Sequence, residues 1–444
     1  MLSKVEAERI LDQALATSKA EQTEALILAH DVALTRFAQN VIHQNVSERD
    51  AILRLRAVVD NRIGVASGNN LSREGILALA ERAVAIARLQ PPDPDFPGLP
   101  RPQRYPQVKA FYESTATCSP DRRARLAGDV CLRAARMGLQ AAGALETGVH
   151  VVAVANSNGL LAYHTYTAAE FSTVVMSEDS SGYGFALAGD LNQLALDEAS
   201  QRAVGKAVRS HKPRPLTPGS YTVVLEPDAT ADILGSMGYT AFSATAVEDG
   251  SSFLRDRFGQ QVLASSVTIL DNGLNPATLP MPFDYEGVAK EPVQIIENGV
   301  AKAVVHDSYS AAKAGAHSTG HALPAPNPNG PFPGHLVLVP GSASLEELIA
   351  GVKRGLLVTR FHYTRTVHPL SVTVTGMTRD GTFFIENGEI AYPVRNLRFT
   401  QSYVEALGQP VTISREQRLC GEYGPYLAPA ISIPEFRFTG VTEF

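Results

Sequence analysis

Eleven histidines and three cysteines bound the metal chemistry open to this chain. A zinc peptidase of the helical type needs two histidines on one helix face, with a glutamate between them to activate the metal-bound water. No H-E-x-x-H or H-E-x-x-x-H occurs anywhere in the sequence. Cys118, Cys131 and Cys420 are far apart and form no C-x-x-C pair, so neither a disulfide framework nor a cysteine-rich zinc site is expected. His317 and His321 are spaced to chelate from a helix, but Gly315, Gly320 and the prolines at 324, 326 and 328 favour a loop. His306-Asp307-Ser308 contains the residue types of a hydrolytic triad. Neighbours on a strand point to opposite faces, so the run cannot assemble a triad by itself and reads as a strand end or turn. Asp284 and Glu286 could share a face as a carboxylate pair; beside Gly287 a turn is the simpler reading.

The elements that must position these residues are legible in part. Ser3 and Glu6 read as a capping box before Ala7, Ile10, Leu11, Ala14 and Leu15, which repeat at helical spacing. Strand-like runs follow at Glu24 to His30, Leu34 to His43, Asp50 to Val59 and Arg62 to Ala66. A second helix begins after Ser72 and buries Ile76, Leu79, Ala80, Ala83, Val84 and Ala87. Residues 91–118 open with a proline-rich run too broken for helix or central strand, and read as a stiff surface connector. Ser119-Pro120 starts a helix to about Gln140, a hairpin turns at Asn156-Ser157-Asn158-Gly159, and a further helix runs from Asp197 to near Ser210. Beyond the prolines at 213, 215 and 218 short β segments dominate, at Val267 to Leu270, Val293 to Glu297, Leu336 to Val339, Ser371 to Thr375 and Thr382 to Glu386. Turns are expected at Asp271-Asn272-Gly273, Glu297-Asn298-Gly299, Arg379-Asp380-Gly381 and Glu386-Asn387-Gly388.

These readings give an α+β chain. We expect an α/β domain with a mixed sheet at 1–90, the connector at 91–118, a middle α/β segment at 119–212 packing with the first domain, and a β-rich domain at 213–444. Composition narrows the function class. With 39 basic and 45 acidic residues the net charge is −6, the signs are interspersed, and no basic stripe carries interleaved aromatics, so nucleic-acid binding is not expected. No run approaches the roughly 18 apolar residues of a membrane span, and no charged region precedes an apolar one at the start, so the expected location is the cytoplasm.

Several short segments, in order along the chain, resemble the TldD/PmbA family. They include Thr35-Arg36-Phe37-Ala38-Gln39-Asn40 with Ile42-His43-Gln44-Asn45, then Ala155-Asn156-Ser157-Asn158-Gly159-Leu160. Phe283-Asp284-Tyr285-Glu286-Gly287, Ile296-Glu297-Asn298-Gly299-Val300, and His306-Asp307-Ser308-Tyr309-Ser310-Ala311 with Ser318-Thr319-Gly320 follow. Gly355-Leu356-Leu357-Val358-Thr359 and Ile385-Glu386-Asn387-Gly388-Glu389-Ile390 extend the pattern. The resemblance implies dimeric assembly and a peptidase cavity acting on unfolded or extended peptides. One subunit type carries zinc on H-E-x-x-x-H; a second type, TldE or PmbA, lacks it.

In the catalytic type the motif lies on the helix after the strand that here reads Tyr221-Thr222-Val223-Val224-Leu225. The resemblance then puts Gly235, Ser236 and Thr240 at the motif positions, and none of them replaces an imidazole ligand or a carboxylate base. Cys420 resembles the cysteine that is a further zinc ligand in catalytic members; without the histidines a buried structural thiol is expected. Asp284 and Glu286, in a family-like loop, read as turn and subunit-contact residues. The leading expectation is a non-catalytic, TldE-type subunit with no metal or catalytic residue of its own, partnered by a zinc-bearing TldD-like subunit or by itself as a homodimer. A stand-alone peptide-binding or regulatory homodimer is the alternative. A third reading builds a relocated metal site from His317, His321, His362, His368 or Cys420.

Overall fold

A computed structural model of the chain describes residues 2–421 and 424–442. It has an α+β architecture with two sheets, six-stranded and eleven-stranded.

The first sheet opens with helix α1 (Lys4–Thr17), whose Ser3 and Glu6 form the capping box read from the sequence. Strands β1 (Gln22–Ala38), β2 (Val41–Val59) and β3 (Arg62–Gly68), then helix α2 (Arg73–Leu89), complete the first half. The second half repeats the plan with α3 (Glu113–Ala116), α4 (Pro120–Arg136), β4 (Gln140–Asn156), β5 (Leu161–Met176), β6 (Ser181–Ala188) and α5 (Leu196–Arg209). All six strands join in one antiparallel sheet in the order β3-β2-β1-β4-β5-β6. The sequence reading broke β1 in the wrong place. The strand runs unbroken through His30 and Leu34, and the turn falls at Gln39 and Asn40, both at positive φ, inside the run read as Leu34 to His43. Lacking the usual Asn-Gly pair, that turn left little signal.

The second sheet contains β7 (Gly219–Leu225), helices α6 (Pro227–Ala241) and α7 (Ala244–Glu248), and strands β8 (Ile269–Asp271), β9 (Val293–Glu297) and β10 (Val300–Ala301). Helix α8 (Ser308–Ala314), β11 (Leu336–Leu338), α9 (Leu345–Ala350), β12 (Arg354–His368), β13 (Thr373–Glu386), β14 (Glu389–Pro393), β15 (Leu397–Ser402), α10 (Tyr403–Gly408), β16 (Thr412–Cys420) and β17 (Tyr426–Val441) follow. Strand β7 pairs with β12 in parallel and with β17 antiparallel, so β17-β15-β13-β12-β7 closes on itself and leaves no free edge there. Arg379-Asp380-Gly381, expected as a turn, is instead a positive-φ irregularity inside the continuous β13.

The proline-rich segment is more than a surface tether. Leu99 and Ala110 are buried, Tyr105 Oη donates to the Gly287 carbonyl at 2.8 Å, and Gln103 Oε1 accepts from Ala289 N at 2.9 Å. It straps the six-stranded sheet to the loops of the second unit. Leu26, Val152, Val154, Leu160 and Ala162 of the first sheet meet Met281 and Phe283 in one apolar cluster at this seam.

Candidate functional site

Helix α6 is nearly all buried; Ser236 is half-buried and Tyr239 exposed. Pro227 occupies its first turn, where no intrahelical N–H bond is needed, and Asp228 there suits the positive end of the helix dipole. The motif positions hold no donor set for zinc. Gly235 has no side chain, and Thr240 Oγ1 donates to the Ser236 carbonyl at 2.7 Å, so that hydroxyl serves its own helix. Cys420 lies against the first two turns, sharing a cavity of about 20 Å³ with Asp228, Ala231 and Asp232. Burial raises its thiol well above the ordinary pKa, and neighbouring Asp228 adds to the effect. Arg418 donates to Asp228 at 2.9 Å, and Asp232 accepts from Thr364 at 2.7 Å and Tyr403 at 3.1 Å. The zinc implied by the resemblance therefore does not fit these residues, and no step of chemistry is routed through it.

The other candidate ligands stay apart. His317 is on an exposed loop with Nε2 3.2 Å from Glu291, whereas His321 is buried with Nε2 2.8 Å from Asp271. His362 stacks edge-on to Tyr363, and His368 Nδ1 lies 3.0 Å from Ser371 Oγ. Among the described residues no group of three or more His, Cys, Asp or Glu could hold a metal ion. His306-Asp307-Ser308 is not a strand end: Asp307 caps α8, accepting from Ser310 N at 2.7 Å while Ser310 Oγ accepts from Asp307 N. A cap with serine at the third helical position departs from the usual glutamate pattern, which hid it.

What sequence reasoning missed is a buried polar cluster at the seam between the two units. Arg56 on β2 bridges Glu24 on β1 and Glu286 in the loop before β9, the latter at 3.0 Å. Burial opposes the guanidinium charge, but the two carboxylates outweigh it and hold its pKa above the ordinary value. Asp284 accepts from Glu286 N at 3.0 Å, Val288 N at 2.9 Å and Ala322 N at 2.9 Å. Even so, burial and the neighbouring Glu286 push it up to about 7. The expected turn is present, with Gly287 at φ 79°, and within the chain Glu286 meets Arg56 and accepts from Ser308 N at 3.2 Å. Asp271 accepts from His321 Nε2 and from His335 N at 2.6 Å. Lys290 is buried, which lowers its pKa, and its ammonium donates to the Gly320 carbonyl at 2.9 Å. Asp284, Lys290, His321 and His335 line a cavity of about 260 Å³ whose rim holds Tyr166 and Tyr285. Isolated acids, lysines and histidines spread over 65 positions gave no pattern; only tertiary structure gathers them.

Three family matches tile the chain. Residues 32–87 match PmbA/TldA metallopeptidase domain 1, 116–210 the central domain, and 218–440 the C-terminal domain. Metalloprotease PmbA of Escherichia coli O157:H7 is 26% identical over 466 residues, covering 98% of each chain. The Metalloprotease PmbA homolog of Haemophilus influenzae is 29% identical, over 78% of this chain and 77% of that one. Among solved structures, TldE from Thermococcus kodakarensis superposes with a TM-score of 0.90 at 22% identity, covering 98% of this chain and 99% of that one, which establishes the shared fold. No described helix is long and apolar enough to cross a membrane. Matched in all three domains and along its length, this chain belongs to the PmbA/TldD family of metallopeptidase-like proteins.

Proposed function

We propose that the chain is the non-catalytic subunit of a cytoplasmic peptidase pair, enclosing unfolded or extended peptides while a zinc-bearing homologue supplies the hydrolytic centre. The observation that carries this reading is helix α6. Hydrolysis of a peptide at neutral pH requires an activated water or nucleophile with a positioned base. Gly235, Ser236 and Thr240 supply neither, and Cys420 is buried beside Asp228 and Arg418.

Retention of the whole fold without the ligands supports a role in assembly and substrate enclosure. The purified chain should contain no stoichiometric zinc by elemental analysis, and should co-purify with a homologous chain carrying H-E-x-x-x-H. One zinc per chain surviving dialysis against a weak chelator, and lost on replacing His317 or Cys420, would overturn the reading. A homodimer that never captures such a homologue would favour the stand-alone peptide-binding protein.

A further inference from the structure

We infer that the seam cavity is a binding pocket for a carboxylate on a short apolar group, with Lys290 as the group that reads the charge. The argument starts from unused hydrogen-bonding capacity. An ammonium has three N–H donors. Lys290 is 6% exposed, yet gives one hydrogen bond, to a neutral carbonyl, while Asp271 and Asp284 act on its charge without a direct ion pair. The two acids of the cavity are already engaged. Both oxygens of Asp271 and both of Asp284 accept from backbone or imidazole donors. His335 Nε2 lies 3.0 Å from the Leu279 carbonyl and so carries the proton, which leaves Nδ1 as an unpartnered acceptor, suited to a ligand N–H beside the carboxylate rather than to the carboxylate itself.

The backbone is shaped around the lysine. A Cβ on Gly273 would come within 2.5 Å of Lys290 Cδ, and a Cβ on Gly320 within 2.4 Å of the Ala289 carbonyl. Gly320 is at φ 74°, which only glycine adopts readily, and it presents the carbonyl that Lys290 binds. Met281, Leu323 and Phe332 form apolar wall above this floor, while Tyr166 and Tyr285 are half-buried at the rim. A space of about 260 Å³ holds one small group rather than a length of peptide. The spare N–H groups of Lys290 among apolar lining residues suit a carboxylate with an apolar side chain and an adjacent N–H, from a free N-acylated small acid or from the C-terminal residue of a peptide. The pocket is formed within one chain, so this inference stands apart from any pairing with a zinc-bearing homologue.

The test compares acids with their amides on the intact chain by titration calorimetry. N-acetyl-L-leucine should bind saturably and N-acetyl-L-leucinamide about tenfold more weakly, a gap expected for one charge-assisted hydrogen bond. Lys290→Met should erase the difference; the wild-type comparison decides the matter even if that variant folds poorly. A pentapeptide ending in leucine, as free acid and as amide, separates the sources. Discrimination there as well assigns the pocket to peptide C-termini, and discrimination confined to the single residue assigns it to free acids. Equal binding of acid and amide, or no saturation by either acid below about 10 mM, overturns the inference.

Discussion

At the scale of single residues, the seam depends on groups whose charge burial opposes. His164 on β5 has Nε2 3.0 Å from the Pro280 carbonyl, and burial lowers its pKa to about 4. The unfolded chain takes up the proton first as pH falls, so stability from this site is present above about 6.5 and is lost as pH drops toward 4. Asp284 runs the other way, its pKa raised to about 7, so its contribution fades as pH rises from 3.8 toward that value. Comparing variant with wild type isolates the histidine. His164→Gln keeps a donor for Pro280 but cannot titrate, and its urea-unfolding free energy should fall less steeply than that of wild type between pH 6.5 and 4. Parallel curves would contradict the assignment. Arg56 offers a larger effect: Arg56→Met leaves Glu24 and Glu286 buried without their shared cation. Denaturant unfolding should show a loss of about 3–5 kcal/mol, the range for breaking a buried ion pair, and a loss below about 1 kcal/mol would mean that the triad contributes little.

At the scale of elements, the first sheet shows how close packing is written in glycine. On the outer strand β3, a Cβ on Gly64 would come within 2.2 Å of the Ala83 carbonyl of α2; on β6, a Cβ on Gly184 would come within 2.2 Å of the Ala199 carbonyl of α5. These contacts are to backbone, which cannot swing aside. Gly184→Ala should therefore cost more than about 2 kcal/mol in urea unfolding and lower the melting temperature; a neutral effect would show that the helix can shift. The helices α1, α2, α4 and α5 were legible because Ser3, Ser72, Ser119-Pro120 and the spacing of small apolar residues are local signals. The long strands β1, β12 and β13 were not, because their boundaries depend on partners far away in sequence. The positive-φ residues Asp380 and Gly381 look like a turn locally yet sit inside a paired strand. The significance of helix α6 was legible only through the family resemblance that sets Gly235, Ser236 and Thr240 against the zinc motif. Asp284 and His321 draw notice singly in the sequence, but the seam pocket was not legible as one site, since Asp271, Asp284, Lys290, His321 and His335 carry no shared spacing.

At the scale of the whole molecule, the two units are tied through Arg56, His164, Tyr105 and the apolar cluster around Met281 and Phe283, and the second unit encloses helix α6, where Gly235, Ser236 and Thr240 offer no zinc-ligand set. The account predicts a protein whose architecture serves a peptidase while its chemistry is supplied elsewhere. The most direct test is the rate of cleavage of a disordered fluorogenic peptide by the purified chain, alone and mixed with a zinc-bearing homologue, each with and without a chelator. The chain alone should give no cleavage above background, and the mixture should give cleavage that the chelator abolishes. Chelator-sensitive cleavage by the chain alone, absent from a parallel preparation that lacks it, would contradict the account.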